Sequence, residues 1–124
     1  MITAGIDIGS ITAKAAIVED GKILGTRVIF TGYNAEAAGK NVYEDVLKES
    51  ALDKSGVKKI VSTGYGRNSV KFADKSFTEI MCHAAGAYHL DKKVRSIIDI
   101  GASPCRPRSE QCKRHKDHRT SSRC

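Results

Sequence analysis

The first thirty residues carry three strand-like stretches joined by two tight turns. Apolar residues alternate with small or polar ones through Ile2–Ile8, which is the period of a strand with one buried face. Gly9-Ser10 interrupts this pattern, and a second stretch follows from Ala13–Glu19. Asp20-Gly21 then provides a strong two-residue hairpin signal, leading into Lys22–Phe30. We therefore predict three consecutive antiparallel strands.

Helices and strands are predicted to alternate after this meander. A first amphipathic helix stops around Asp53–Gly56, and a short strand follows at Val57–Thr63. Ser76-Phe77-Thr78-Glu79 has the form of a capping box that opens a second helix, and Ser96–Ile100 reads as a last strand. The predicted core faces of the two helices comprise Gly39, Val42, Tyr43, Val46 and Leu47, and then Phe77, Ile80, Met81, Ala84, Ala87 and Tyr88.

The order strand-strand-strand-helix-strand-helix-strand predicts an α/β fold. A hairpin start followed by alternating helices and strands implies a mixed sheet with parallel crossovers. The chain has 124 residues, enough for one modest domain. It contains no apolar run near the roughly 20 residues of a spanning helix, and its start lacks a basic leader. We expect a cytoplasmic protein without a membrane segment.

The net charge of +7 is concentrated near the end of the chain. Residues 1–100 hold 14 basic and 12 acidic side chains, whereas residues 101–124 hold seven basic and two acidic ones. These last residues contain no Ile, Leu, Val, Met, Phe or Tyr, and no aromatic residue for base stacking. Nucleic acid is therefore an improbable partner. The tail's cysteines and histidines have a spacing that fits no usual zinc module.

The turn from Asp7 to Lys14 has the composition of a phosphate-binding loop. Gly9 lets backbone N–H groups approach a phosphate closely, and Ser10 and Thr12 add hydroxyl donors. Lys14 offers a positive charge, and Asp7 is placed to hold a Mg²⁺ ion through water. The alternative interpretation is an ordinary glycine-serine turn with an exposed carboxylate.

Three further segments carry candidate functional residues. Asp99 and Gly101 repeat the Asp-x-Gly pattern after an apolar stretch, which favours a cleft with paired carboxylates; the alternative is a strand that simply ends in Asp and Gly. Gly64-Tyr65-Gly66-Arg67 suits a strand-to-helix turn. Glu79 and His83 share one helix stripe and receive no firm role, and Cys82 is most simply a half-buried thiol.

Together these segments resemble the N-terminal part of the BadF/BadG/BcrA/BcrD ATPase family, which includes activators of 2-hydroxyacyl-CoA dehydratases and subunits of benzoyl-CoA reductase. The matching blocks follow the family's order and cover nearly all of residues 1–100. They are Gly5-Ile6-Asp7-Ile8-Gly9-Ser10 with Lys14, Ser62-Thr63-Gly64-Tyr65-Gly66-Arg67, the segment from Thr78 to Ala87, and Ile97-Ile98-Asp99-Ile100-Gly101.

The resemblance implies the first lobe of an actin-like, ribonuclease H-like ATPase fold, in which two lobes clasp Mg-ATP. It implies Asp7 and Asp99 as catalytic residues, and nucleotide contacts from Gly9, Ser10, Thr12, Lys14 and Gly101. Family members of this type are cytoplasmic homodimers with a bridging [4Fe-4S] cluster. They couple ATP hydrolysis to low-potential electron transfer, from a ferredoxin or flavodoxin into a 2-hydroxyacyl-CoA dehydratase.

The resemblance stops abruptly after Gly101. The family continues with Gly-Gln-Asp, whereas this chain has Ala102-Ser103-Pro104. We therefore expect residues 1–101 to be an incomplete N-terminal lobe, and residues 102–124 to be a disordered or aberrant terminus that lacks the cluster ligands. On that expectation the chain alone is inactive as an ATPase. A small-molecule kinase of the same superfold and a non-catalytic, basic-tailed binding module are the alternatives.

Overall fold

A computed structural model describes residues 1–98 and residue 100 of the chain. It contains a sheet of five strands and two α-helices. The elements in chain order are β1 (Ile2–Ile8), β2 (Thr12–Glu19), β3 (Lys22–Phe30), α1 (Ala35–Glu49), β4 (Lys59–Thr63), β5 (Lys75–Ser76) and α2 (Glu79–Leu90).

The sheet has the strand order β3-β2-β1-β4-β5. The first three strands pair antiparallel, and β4 pairs parallel with β1, so the sheet is mixed as predicted. The hairpin turn between β2 and β3 places Asp20 at φ 48° and Gly21 at φ 84°. Both residues have positive φ, as a type I′ turn requires, and this turn matches the right-handed twist of the strands.

Helix α1 covers one face of the sheet and forms the core with it. The predicted face of α1 is confirmed, because Gly39, Val42, Tyr43, Val46 and Leu47 are all buried. They pack on the alternating apolar residues of β1 and β2, among which Ile6, Ile8 and Ile17 are almost fully buried. The helix begins at the cap Asn34, whose side chain accepts a hydrogen bond of 2.9 Å from the Ala37 amide.

The start and the apolar face of α2 differ from the prediction. Thr78 is the N-cap, with its hydroxyl accepting from the Met81 amide at 3.4 Å. Ser76 lies two residues too early for this role, because it pairs with Ser62 in the sheet. Five of the six predicted core residues are exposed, among them Ile80 at 73% and Met81 at 57% accessible, whereas Ala87 is half-buried. Among the described residues, Lys92 lies over part of that face, with its Nζ 4.3 Å from the centroid of the Tyr88 ring.

The predicted last strand at Ser96–Ile100 is wrong for its described residues, 96–98 and 100, which belong to no strand. Residues 74–77 take the edge of β4 instead. The amide and carbonyl of Ile60 bond to Asp74, and the Ser62 carbonyl accepts from the Phe77 amide at 3.0 Å. A later strand would need these main-chain groups of β4 as hydrogen-bond partners in order to pair with it.

Asp99, Gly101 and the tail at 102–124 lie outside the described residues. The second phosphate loop and the disordered or aberrant terminus therefore remain predictions. In the part of the chain that the structure describes, neither helix has the length and apolar character needed to cross a membrane.

Candidate functional site

Three polar side chains from neighbouring strands line up at one end of the sheet. Asp7 of β1 is paired in register with Lys14 of β2 on one side and with Thr63 of β4 on the other. Residues that are paired in register point to the same face of a sheet. Their face is opposite to the one that α1 covers, because Ile6 and Ile8, on either side of Asp7, point into the core. The fold therefore brings together a cation, a carboxylate and a hydroxyl.

The Asp7 carboxylate has one paired oxygen and one unpaired oxygen. Oδ2 lies 3.2 Å from Lys14 Nζ, in an ion pair that is partly exposed on both sides. Oδ1 is buried and has no hydrogen-bond partner among the described residues. An unsatisfied buried oxygen costs free energy in the ligand-free protein, so this atom is ready to accept from a ligand. The water shell of a hydrated cation provides such donors.

A glycine loop after β4 closes against the Asp7 carboxylate. Gly64 has φ +91°, and a Cβ at this position would lie 2.4 Å from Asp7 Oδ1 and 2.5 Å from the Ile8 carbonyl oxygen. The neighbouring Gly66 amide donates to that same carbonyl at 2.8 Å. Only glycine has both the space and the backbone freedom needed at position 64. The Gly64-Tyr65-Gly66-Arg67 motif thus forms one wall of the site, and Arg67 Nη1 bonds the Gly64 carbonyl at 3.0 Å.

The loop between β1 and β2 is held closed by its own hydrogen bonds and close contacts. The Gly9 amide donates to the Thr12 carbonyl at 3.0 Å, and a Cβ on Gly9 would lie 2.8 Å from that oxygen. Thr31 fixes the same loop from outside, since its hydroxyl donates to the Gly9 carbonyl at 2.8 Å. Gly9 therefore has a structural role in the turn itself, whether or not a ligand is bound.

The row of polar residues opens into a groove of about 370 Å³ between the sheet and α2. Asp7, Lys14 and Thr63 line it together with Cys82 of α2, which is half-buried as predicted. Helix α2 therefore approaches the site through Cys82. Glu79 and His83, the other sequence candidates on this helix, are exposed.

The structure joins some of the predicted site residues and adds two others. Asp7, Gly9, Ser10, Thr12 and Lys14 lie on one loop and its flanking strands, as predicted. The additions are Thr63 and Gly64, which were noted in the sequence only as part of a motif. Thr63 and Gly64 are placed beside Asp7 by the pairing of β1 with β4, and a sequence pattern does not specify such pairing.

The donor set suits Mg²⁺ held through water, because it offers one free carboxylate oxygen and one hydroxyl, both hard oxygen groups. It does not suit an iron-sulfur cluster. Cys82 is the sole cysteine of the described residues, and among these no cluster of three or more metal-ligating side chains occurs.

Comparison with known proteins identifies the family. The family model described as BadF/BadG/BcrA/BcrD ATPase family matches residues 4–117. The chain belongs to this family. A relative named activator of lactoyl-CoA dehydratase, from Anaerotignum propionicum, is 41% identical over 102 residues, which are 82% of this chain and 39% of the relative.

Two solved structures share the fold of this chain. Component A of (R)-2-hydroxyglutaryl-CoA dehydratase from Acidaminococcus fermentans superimposes with a TM-score of 0.70 and 33% identity, over 76% of this chain and 37% of that one. The 2-hydroxyisocaproyl-CoA dehydratase activator from Clostridium difficile was solved with bound ADPNP. It superimposes with a TM-score of 0.65 and 36% identity, over 72% of this chain and 33% of that one. The α/β fold of an actin-like ATPase is thereby confirmed. This chain spans less than two fifths of the length of each of these relatives.

Proposed function

We propose that residues 1–101 form the first nucleotide-binding lobe of a cytoplasmic ATPase that activates a 2-hydroxyacyl-CoA dehydratase. The observation that carries the proposal is the Asp7 carboxylate, which has one buried oxygen free at the end of β1 and lies beside Lys14. Family membership and a relative solved with ADPNP support a nucleotide as the ligand class of this site.

The residues of the site act mainly through electrostatics. Mg²⁺, when bound with ATP, neutralises charge on the phosphate oxygens. Asp7 would help to hold the cation through Oδ1, the free oxygen, by accepting hydrogen bonds from its water. Lys14 is 49% exposed, so it can turn from Asp7 toward a phosphate at small cost. Asp99 and Gly101 belong to the proposed second phosphate loop, and Ser10 and Thr12 to the first.

The proposal extends to the partners of the family. Electron transfer from a ferredoxin or flavodoxin, through the [4Fe-4S] cluster of a homodimer and into the dehydratase, is part of the proposed role. The described residues provide no ligand set for that cluster, so we assign them no step in electron transfer.

Nucleotide binding is tested by thermal unfolding of the purified chain with Mg²⁺ and ADPNP. A ligand at 100 times its Kd stabilises the folded state by about 2.7 kcal/mol, which raises the Tm measurably. We expect this rise in the wild type and its loss in Asp7→Asn, which removes the carboxylate charge but keeps the shape. Asp20→Asn, in the exposed hairpin turn, is the matched control and should respond like the wild type. A wild-type chain without any rise, or an equal rise in Asp7→Asn, contradicts the proposal.

A further inference from the structure

Two unsatisfied buried oxygens are neighbours in the polar row. Thr63 Oγ1 is buried without a hydrogen-bond partner among the described residues, as is Asp7 Oδ1. The two residues are paired directly across the parallel strands β1 and β4. Both line the same groove. The one other side-chain oxygen of this kind in the described chain is Ser50 Oγ, which lies at a different place, against Gly25 of β3.

Nearby hydroxyl groups show that the fold can satisfy such oxygens where no ligand is needed. Ser62, the residue before Thr63, donates to the Arg67 carbonyl at 3.1 Å. Thr31 donates to the Gly9 carbonyl at 2.8 Å. Thr63 differs from both because its side chain points away from the core and toward the carboxylate row. Its hydroxyl is left unsatisfied on the strand next to Asp7, at the position paired with that residue.

The chemistry of Asp7 Oδ1 and Thr63 Oγ1 favours a small ligand that both donates and accepts hydrogen bonds. An ionised carboxylate oxygen only accepts hydrogen bonds, whereas a threonine hydroxyl donates one and accepts others. A water molecule bound between the two side chains would donate to the carboxylate and accept from the hydroxyl, so it would satisfy both groups at once. We propose that Thr63 is a positioning residue that, together with Asp7, holds one water of a hydrated divalent cation bound with the nucleotide. This inference rests on the proposed function, since the cation accompanies ATP.

The proposal predicts opposite effects of one substitution on stability and on binding. Thr63→Val keeps the branched shape and removes the unsatisfied hydroxyl. The ligand-free variant should therefore melt at the wild-type temperature or above it. The same variant should need about tenfold more Mg²⁺ for half-maximal ADPNP binding, which is the size expected for loss of a hydrogen bond in a charged site. Thr63→Ser restores the hydroxyl and should restore the Mg²⁺ requirement.

The experiment titrates Mg²⁺ against the full chain at fixed ADPNP, with thermal unfolding and calorimetric binding as readouts. Nucleotide binding in EDTA reports the contribution that does not depend on the cation, and Thr63→Val should leave it unchanged. Thr26→Val, a threonine in the same groove on the distant strand β3, is the matched control and should behave as the wild type.

Two outcomes overturn the inference. If Thr63→Val lowers the ligand-free Tm and leaves the Mg²⁺ requirement unchanged, the hydroxyl has a structural role only. If the wild type binds Mg-ADPNP and Thr63→Val binds it equally well at every Mg²⁺ concentration, Thr63 holds no water of the cation. Both outcomes leave the proposed function intact. A wild type that binds no nucleotide at all contradicts the proposed function itself.

Discussion

Replacement of Gly64 by alanine tests whether the glycine loop is shaped around the Asp7 carboxylate. The added Cβ would lie 2.4 Å from Asp7 Oδ1, 2.5 Å from the Ile8 carbonyl oxygen and 2.7 Å from its carbon. The Ile8 carbonyl cannot retreat freely, because it accepts from the Gly66 amide at 2.8 Å. The φ of +91° lies beyond the left-handed region that other residues enter.

The magnitude follows from two separate costs. A left-handed φ costs a residue with a side chain about 1–2 kcal/mol. A backbone shift large enough to relieve contacts near 2.5 Å adds a cost of roughly 2–3 kcal/mol, comparable with overpacking in a core. We therefore expect Gly64→Ala to lose about 4 kcal/mol of a total stability on the order of 5–15 kcal/mol.

The chain supplies two matched glycine controls. Gly32 has φ +62°, but an added Cβ would meet no atom within 4 Å. Gly32→Ala therefore measures the backbone cost in free energy of unfolding alone, about 1 kcal/mol. Gly5 has neither feature, and Gly5→Ala in a strand should be neutral or slightly stabilising. Equilibrium urea unfolding gives the three values. With an m-value of roughly 1–2 kcal/mol/M, Gly64→Ala should lower the midpoint by about 2 M or more. Equal midpoints for Gly64→Ala and Gly32→Ala would refute the close approach to Asp7.

Two further predictions concern helix α1. Asn34→Ala removes the cap that accepts from the Ala37 amide, and should cost about 1 kcal/mol in urea unfolding; an unchanged midpoint would contradict this role of the cap. The Lys54 ammonium, 2.8 Å from Glu44, lowers the pKa of that carboxyl, so the pair stabilises the fold above the ordinary pKa of Glu44 and loses this effect as pH falls through the lowered one. NMR titration of Lys54→Met should show the pKa of Glu44 returning toward its ordinary value, whereas Lys48→Met, which removes a charge with a smaller effect on that pKa, should change it little.

The fold around β1, β2 and α1 could be predicted from the sequence because each local signal agrees with the tertiary structure. The alternation in Ile2–Ile8, the Asp20-Gly21 turn and the buried stripe of α1 all specify the same layer arrangement. In such a region, periodicity identifies the buried face, and the turn type fixes the pairing of the hairpin.

The second half of the chain was less predictable because its signals depend on distant partners. The apolar stripe of α2 indicates a face suited to burial, but periodicity does not say what covers that face. The described residues of the strand predicted at Ser96–Ile100, which are 96–98 and 100, belong to no strand, and Asp74 and Phe77 bond the edge of β4 instead. Thr63 was missed as a site residue for a related reason. Its unsatisfied hydroxyl is recognised as part of the site only when β4 is placed beside β1.

The parallel pairing of β1 with β4 has a consequence for how this chain acquires its site. Asp7 and Thr63 are separated by the whole hairpin and α1, and they meet only after the crossover has been completed. A partly folded chain with a formed hairpin therefore has Lys14 beside Asp7 but lacks the hydroxyl and the glycine wall. Because a ligand that binds only the native state stabilises it by linkage, Mg-nucleotide would favour the completed crossover over such intermediates. Binding of Mg-nucleotide at the site would then report whether the chain has completed this crossover.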